Sequence, residues 1–133
     1  MTPRGSEILA YVRAEPGAHT AAELARARGW GERLTQLEAA ALEAEGLLLP
    51  RASGLLRVRR PVDSLSYRGV PAARQDERAV LMALADGHDT VVNVTAAFGM
   101  PPRRVRRAWT WLVSDGWGWR LGALVPVEIA PGA

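Results

Sequence analysis

The chain has 133 residues, 48% of them hydrophobic and 23% charged, which is the balance of a folded globular protein and not of a disordered one. It contains no cysteine, which excludes disulfides, thiolate metal sites and cysteine nucleophiles. The formal net charge is only +3, so the positions of the 17 basic residues, all arginine, matter more than their sum. The sequence has neither an apolar run of about 18 residues nor a signal-peptide pattern, so we expect a cytoplasmic protein without membrane contact.

Three helices are predicted in the first 46 residues. Pro3 can open the first helix, and Thr20 with Glu23 forms a capping box that starts the second at Ala21. Gly29 ends the second helix, and the third runs from about residue 32 to residue 45. The apolar positions of the third helix at helical spacing are Leu34, Leu37, Ala41 and Leu42.

The segment LLLPRASGLLRVRR, residues 47–60, predicts a β-hairpin. It has two apolar runs around an Ala-Ser-Gly turn, and its second run alternates apolar residues with arginine. Residues 61–73 show no sustained period and contain two prolines, so we interpret them as a linker. Together these patterns predict a first unit at 1–60 and a linker at 61–73.

The second part of the chain repeats this order at a shift of 70 residues. Thr20 corresponds to Thr90, Gly29 to Gly99, and Gly46 to Gly116. A helix is predicted from about Gln75 to Ala85, a second is capped by Thr90, and a third begins at Pro101-Pro102. The tail WGWRLGALVPVEI, residues 117–129, predicts another hairpin. The agreement indicates an internal duplication with a second unit at 74–133.

Three helices followed by a hairpin, with LEAAALEAEGLLLP leading from the third helix into the first strand, resemble the winged helix-turn-helix superfamily. The resemblance implies a mainly α fold with small β-hairpin wings, present as two tandem units. In that superfamily the third helix usually enters the DNA major groove and the wing contacts the backbone or minor groove. We therefore expect binding to double-stranded DNA, and a role as a transcriptional or replication regulator associated with the nucleoid.

The third helix of the second unit carries the strongest basic pattern in the chain. In PPRRVRRAW, Arg103, Arg104, Arg106 and Arg107 surround the single apolar residue Val105. With 100° per residue, the four arginines fan over the exposed side, where they can neutralise phosphates or bond guanine edges. These arginines are the principal predicted DNA contacts.

The first unit is less suited to DNA through its third helix, which carries Glu32 and Glu38 and only one arginine. Its predicted contacts are instead on the hairpin, with Arg33 as a weaker candidate for base reading. The predicted basic hairpin residues are Arg51, Arg57, Arg59 and Arg60.

Tryptophans cluster in the second unit, and Trp111 and Trp119 are candidates for a protein interface if they are exposed. A protein-interaction module therefore remains the alternative function, since tandem winged helices also resemble accessory subunits of bacterial chromosome-condensing complexes. A homodimer or another protein partner stays open. The two histidines, His19 and His88, have no metal-ligand spacing, and no nucleophile has a neighbouring base, so we expect no enzyme, metal or cofactor.

Overall fold

The computed structural model describes residues 1–129, so the predicted end of the second unit, residues 130–133, lies outside the described part. The helices are α1 (Pro3–Ala14), α2 (Ala21–Arg28), α3 (Glu32–Ala44), α4 (Gln75–Ala85), α5 (Val91–Phe98) and α6 (Pro102–Ser114), with 3-10 helices at Ser66–Gly69 and Val127–Ile129. The six predicted helices are therefore confirmed. None of the helices in this part of the chain is long and apolar enough to span a membrane.

The helix ends follow from the capping residues. The Thr20 hydroxyl accepts a bond from the Glu23 backbone N–H, and the Glu23 carboxylate accepts one from the Thr20 N–H at 2.8 Å, which completes the capping box. Thr90 caps α5 with its hydroxyl in the same way. Gly29 and Gly99 end α2 and α5 with φ of 70° and 66°, a left-handed conformation that residues other than glycine rarely adopt.

The predicted β-hairpin wings are absent, so the expected mainly α fold with hairpin wings is wrong in its β part. Residues 1–129 contain no strand, and the two predicted hairpin segments, 47–60 and 117–129, form only isolated antiparallel bridges. The two arms of each predicted hairpin do not pair with each other, and each forms bridges with another segment. The bridges are Thr20 with Ala123, Leu48 with Pro126, Leu55 with Thr90 and Val58 with Gly118. Pro50 and Pro126 have no N–H to donate, which limits any longer ladder.

Through these bridges, each half of the sequence contributes a segment to the compact unit that the other half mainly forms. One compact unit, here unit A, contains Met1–Ala52 and the segment that begins at Gly122, and the other, unit B, contains Ser53–Leu121. In unit A the Leu49 N–H donates to the Val125 carbonyl at 2.8 Å, and in unit B the Trp119 N–H donates to the Arg57 carbonyl at 2.9 Å. The helices α1–α3 are thus completed by the segment that follows the turn after α6. The helices α4–α6 are completed by the segment that follows the turn after α3.

Each unit has its own buried core. The core of unit A includes Ile8, Leu9, Val12, Leu24, Leu42 and Leu124. The core of unit B includes Leu56, Val80, Leu81, Val94, Trp109 and Leu112. Leu124 and Leu56 are each 2% exposed, and both are core residues that the exchanged segments supply.

The predicted apolar face of α3 is only partly buried. Leu42 is buried together with Thr35 and Ala39, but Leu34 and Leu37 are 56% and 58% exposed. The Thr35 hydroxyl donates to the Gly31 carbonyl at 2.9 Å, which satisfies this polar group in the core. The spacing therefore predicts the helix correctly, but it assigns Leu34, Leu37 and Ala41 to the buried face although all three are exposed.

The exchange of segments predicts which unit each of two core substitutions destabilises. Leu124→Ala should destabilise unit A by about 2–5 kcal/mol because it leaves a cavity among buried side chains, and Leu56→Ala should do the same to unit B. Residue-resolved hydrogen exchange checks this, with faster exchange in α1–α3 for Leu124→Ala and in α4–α6 for Leu56→Ala. The reverse pattern would contradict the exchange, because it would mean that each segment packs on the helices that precede it in the sequence.

Candidate functional site

The exchange separates charge between the two units. Residues 53–121 hold 11 arginines and six acidic residues, a formal net charge of +5. Residues 1–52 with 122–129 hold six arginines and eight acidic residues, a formal net charge of −2. The modest net charge of +3 for the whole chain is therefore the sum of a strongly basic unit B and an acidic unit A. We place the candidate site in unit B for this reason.

The N-terminal half of α6 presents the densest group of arginines. Pro102 is at the first helical position, where its missing N–H costs nothing, and Val105 and Ala108 are buried against the core. These two anchors fix the rotation of the helix. The exposed residues around them are Arg103, Arg104, Arg106 and Arg107, all four predicted from the sequence. The positive end of the helix macrodipole adds to their field.

Arg104 differs from the other three because Asp76, on α4, holds it. Arg104 donates through Nη2 to Asp76 Oδ1 at 2.6 Å and through Nε to Oδ2 at 3.2 Å, a bidentate pair. This hydrogen bond is the main reason that the pKa of Asp76 lies below its ordinary value, with the charges of Arg104 and Arg107 acting in the same direction. Sequence reasoning missed this partner because it lies 28 residues away.

Two further predicted contacts, Arg59 and Arg60, lie in unit B and are stacked on indole rings. The guanidinium of Arg59 is 4.3 Å from the centroid of the Trp119 ring, and that of Arg60 is 3.5 Å from the Trp117 ring. Cation–π contacts of this kind hold arginine side chains in place while they remain exposed. Arg57, which precedes them, is only half-buried, and its carbonyl accepts the Trp119 N–H.

The remaining predicted contacts, Arg51 and Arg33, belong to unit A. Arg51 is ion-paired with Glu43, and its Nη1 lies 3.5 Å from the Gln36 Oε1, so its guanidinium is already engaged within the unit. Arg33 is exposed in the first turn of α3. The structure therefore places Arg57, Arg59 and Arg60 in the same unit as the α6 arginines, and Arg51 and Arg33 in the other unit.

The two tryptophans predicted as interface residues have different environments. Trp119 is only 7% exposed, and its carbonyl accepts a bond from the Trp109 Nε1 at 2.9 Å. An indole so deeply buried offers little surface to a partner. Trp111 is half-buried against the core of unit B, and the guanidinium of Arg74 lies 4.8 Å from its ring centroid.

A groove of about 540 Å³ lies along the C-terminal half of α6 in unit B. Its lining residues are Arg106, Trp109, Thr110, Val113, Ser114, Arg120 and Leu121. The volume is within the range of small-molecule sites, and the lining is mostly apolar apart from two arginines and two hydroxyls. Sequence analysis did not indicate this groove, because its lining combines a helix face with a turn.

No group of three or more His, Asp or Glu side chains in residues 1–129 could hold a metal ion. His19 is packed beside Tyr11, with ring centroids 5.5 Å apart.

Comparisons with protein-family models, with curated proteins and with solved structures gave no match for this chain. The geometry and charge of unit B are therefore the basis for assigning a function.

The Arg104–Asp76 pair predicts a pH dependence. Because the folded pKa of Asp76 is lowered, the pair stabilises the fold above the ordinary carboxyl pKa of about 4 and loses this effect as the pH falls through the lowered value. Arg104→Gln should raise the pKa of Asp76, measured by NMR titration, and reduce stability at neutral pH but not in strong acid. The pKa of Glu128, lowered mainly by its own backbone N–H and then by Arg13, is the internal control and should not change. An unchanged Asp76 pKa would show that Arg104 does not hold this carboxylate.

Proposed function

We propose that unit B binds double-stranded DNA, with the exposed arginines of α6 as the principal contact. The observation that carries the proposal is the set of exposed arginines around the first two turns of α6, in a unit with a formal net charge of +5. Guanidinium groups bond phosphate oxygens bidentately and can also bond guanine O6 and N7. A protein that acts on DNA in this way would work in the cytoplasm, at the nucleoid.

The dimensions of α6 suit this role. An α-helix with its side chains is about 10–12 Å wide and fits a B-DNA major groove that is roughly 12 Å wide. The N-terminal end of α6 carries the partial positive charge of the helix dipole, which favours phosphate at that end. Arg103, Arg106 and Arg107 are therefore the residues that we assign to the first contact.

Arg59 and Arg60 supply a second set of contacts in the same unit. Their stacking on Trp119 and Trp117 orders the side chains before binding, which reduces the entropy lost when they engage phosphate. They act here as residues of an extended segment and not of a hairpin wing.

The test is the salt dependence of binding to random-sequence duplex DNA, measured by fluorescence anisotropy. The triple variant Arg103→Gln, Arg106→Gln and Arg107→Gln should lose most of the affinity and lower the slope of log K against log salt by about 3, near 0.9 per lost phosphate contact. Circular dichroism should show that it remains folded, because all three side chains are exposed.

A matched control separates a specific surface from net charge. The variant Arg13→Gln, Arg26→Gln and Arg28→Gln removes the same three charges from exposed positions of unit A. It should retain nearly the full affinity and salt slope. Equal losses in the two triple variants, or no binding by the wild-type chain, would contradict the proposal.

The ion pair between Arg104 of α6 and Asp76 of α4 predicts a substitution that raises the affinity for DNA. Asp76→Asn removes the carboxylate that engages Arg104, so Arg104 can turn to phosphate and the affinity for DNA should rise severalfold at low salt. The same anisotropy measurement checks this. A fall in affinity with the fold intact would show that the Asp76 pair orients Arg104 for binding instead of withdrawing it.

A protein-interaction module is the second candidate, and α3 of unit A favours it. Leu34 and Leu37 are more than half exposed on one face of α3, and the corresponding positions of α6 are Arg104 and Arg107. Exposed leucines of this kind are typical of a protein contact. Binding to a partner through them should be nearly insensitive to salt, whereas binding through the arginines should weaken steeply as salt rises.

A further inference from the structure

The groove beside α6 has a counterpart in unit A that is filled by a side chain. At the shift of 70 residues, Gln36 corresponds to Arg106 and Glu43 to Val113. In unit A, Arg51 is ion-paired with Glu43 and contacts Gln36 at 3.5 Å, so its side chain covers this part of α3. Unit B has Val113 and Arg106 at these positions.

The connection between the third helix and the following turn is also shorter in unit B. The glycines of the two turns, Gly54 and Gly122, are 68 residues apart, whereas the corresponding helices are 70 apart. Two extra residues therefore lie between the third helix and the turn in unit A, within residues 50–52, the segment that carries Arg51. This shorter connection and the change from Glu43 to Val113 distinguish unit B, where the groove of about 540 Å³ is open.

The chemistry of the lining defines the ligand. Val113 and Leu121 offer an apolar surface beside the buried Trp109, while Arg106 and Arg120 bring positive charge to the same groove. The hydroxyl protons are already used, because Thr110 donates to the Arg106 carbonyl at 3.0 Å and Ser114 donates to the Trp111 carbonyl at 2.7 Å. The Arg106 guanidinium therefore supplies the hydrogen-bond donors for an anion.

We propose that this groove binds a small hydrophobic carboxylate, with its apolar body against Val113 and Leu121 and its carboxylate on Arg106. A bidentate guanidinium–carboxylate contact fixes the orientation, and burial of the apolar body supplies affinity. The site shares Arg106 with the proposed DNA contact, but it is tested without DNA, so failure of one proposal leaves the other standing.

The experiment compares 2-naphthoate with its neutral isostere naphthalene-2-carboxamide, by isothermal titration calorimetry on the full chain. The wild-type chain should bind the carboxylate at least about tenfold more tightly than the amide, since a charged hydrogen bond replaces a neutral one. Trp109 lines the groove, so quenching of tryptophan fluorescence should accompany binding.

Two variants take their residues from the corresponding positions of unit A, where a helix already accommodates them. Arg106→Gln should reduce the preference for the carboxylate to within about threefold, and Val113→Glu should abolish carboxylate binding by placing a like charge in the groove. Arg68→Gln, at an exposed arginine of unit B outside the groove, is the charge-matched control and should bind as the wild type does.

Three outcomes would overturn the proposal. They are equal affinity of the wild-type chain for the two probes, equal loss of carboxylate binding in the Arg68→Gln and Arg106→Gln variants, and unchanged binding by Val113→Glu. Circular dichroism of each variant accompanies the titrations, and the amide titration of Arg106→Gln reports whether the apolar part of the groove is still formed.

Discussion

Leu124 and Leu56 complete the cores of the two units, and each comes from a segment that continues beyond the turn following the third helix of the other unit. A three-helix set of this size buries too little apolar surface by itself, so a further segment must cover the remaining face. Here the covering segments are exchanged. The charges that these segments carry move with them, because Arg57, Arg59 and Arg60 follow Leu56 along the chain, whereas Glu128 follows Leu124.

The exchange therefore shapes the electrostatics as well as the cores. Without it, the divisions 1–60 and 74–133 would carry +2 and +1, two similar and weakly basic units. With it, one unit carries +5 and the other −2. Concentration of basic residues in one unit strengthens the local field that attracts a polyanion, and the acidic unit disfavours nonspecific contact over its own surface. The candidate site is thus a product of the topology and not only of the arginine run in α6.

Sequence patterns predicted the helices well because the signals for helix ends are local. Thr20 with Glu23, and Gly29 and Gly99, each act within one turn of the backbone that they terminate. The exchange could not be predicted in this way, since in a duplicated sequence the segment around Leu56 and the segment around Leu124 suit either core by composition. The alternation of residues 55–60 indicated extended backbone but could not identify its partner.

Part of the candidate site could be predicted from the sequence, again because the signals for it are local. Arg103, Arg106 and Arg107 are close in sequence, and the burial of Val105 and Ala108 determines that they are exposed. Arg51 looked equivalent to the other hairpin arginines, but Glu43 engages it, and Asp76 engages Arg104 across 28 positions. Such pairs depend on how helices pack and leave no periodic signal.

The two units differ mainly in exposed residues of the third helix and of the turn that follows it. The capping threonines, the terminal glycines and the buried helix positions keep their roles in both units, so these residues maintain the common backbone. The differences lie on the exposed face of the third helix, where α3 has Leu34 and Leu37 and α6 has Arg104 and Arg107. They extend to the neighbouring turn, where Arg51 fills one unit and the groove opens in the other. Because these exposed changes contribute little to the cores, they fit the proposed division of labour, in which unit B would hold the ligand-binding surfaces while unit A presents a different, apolar face.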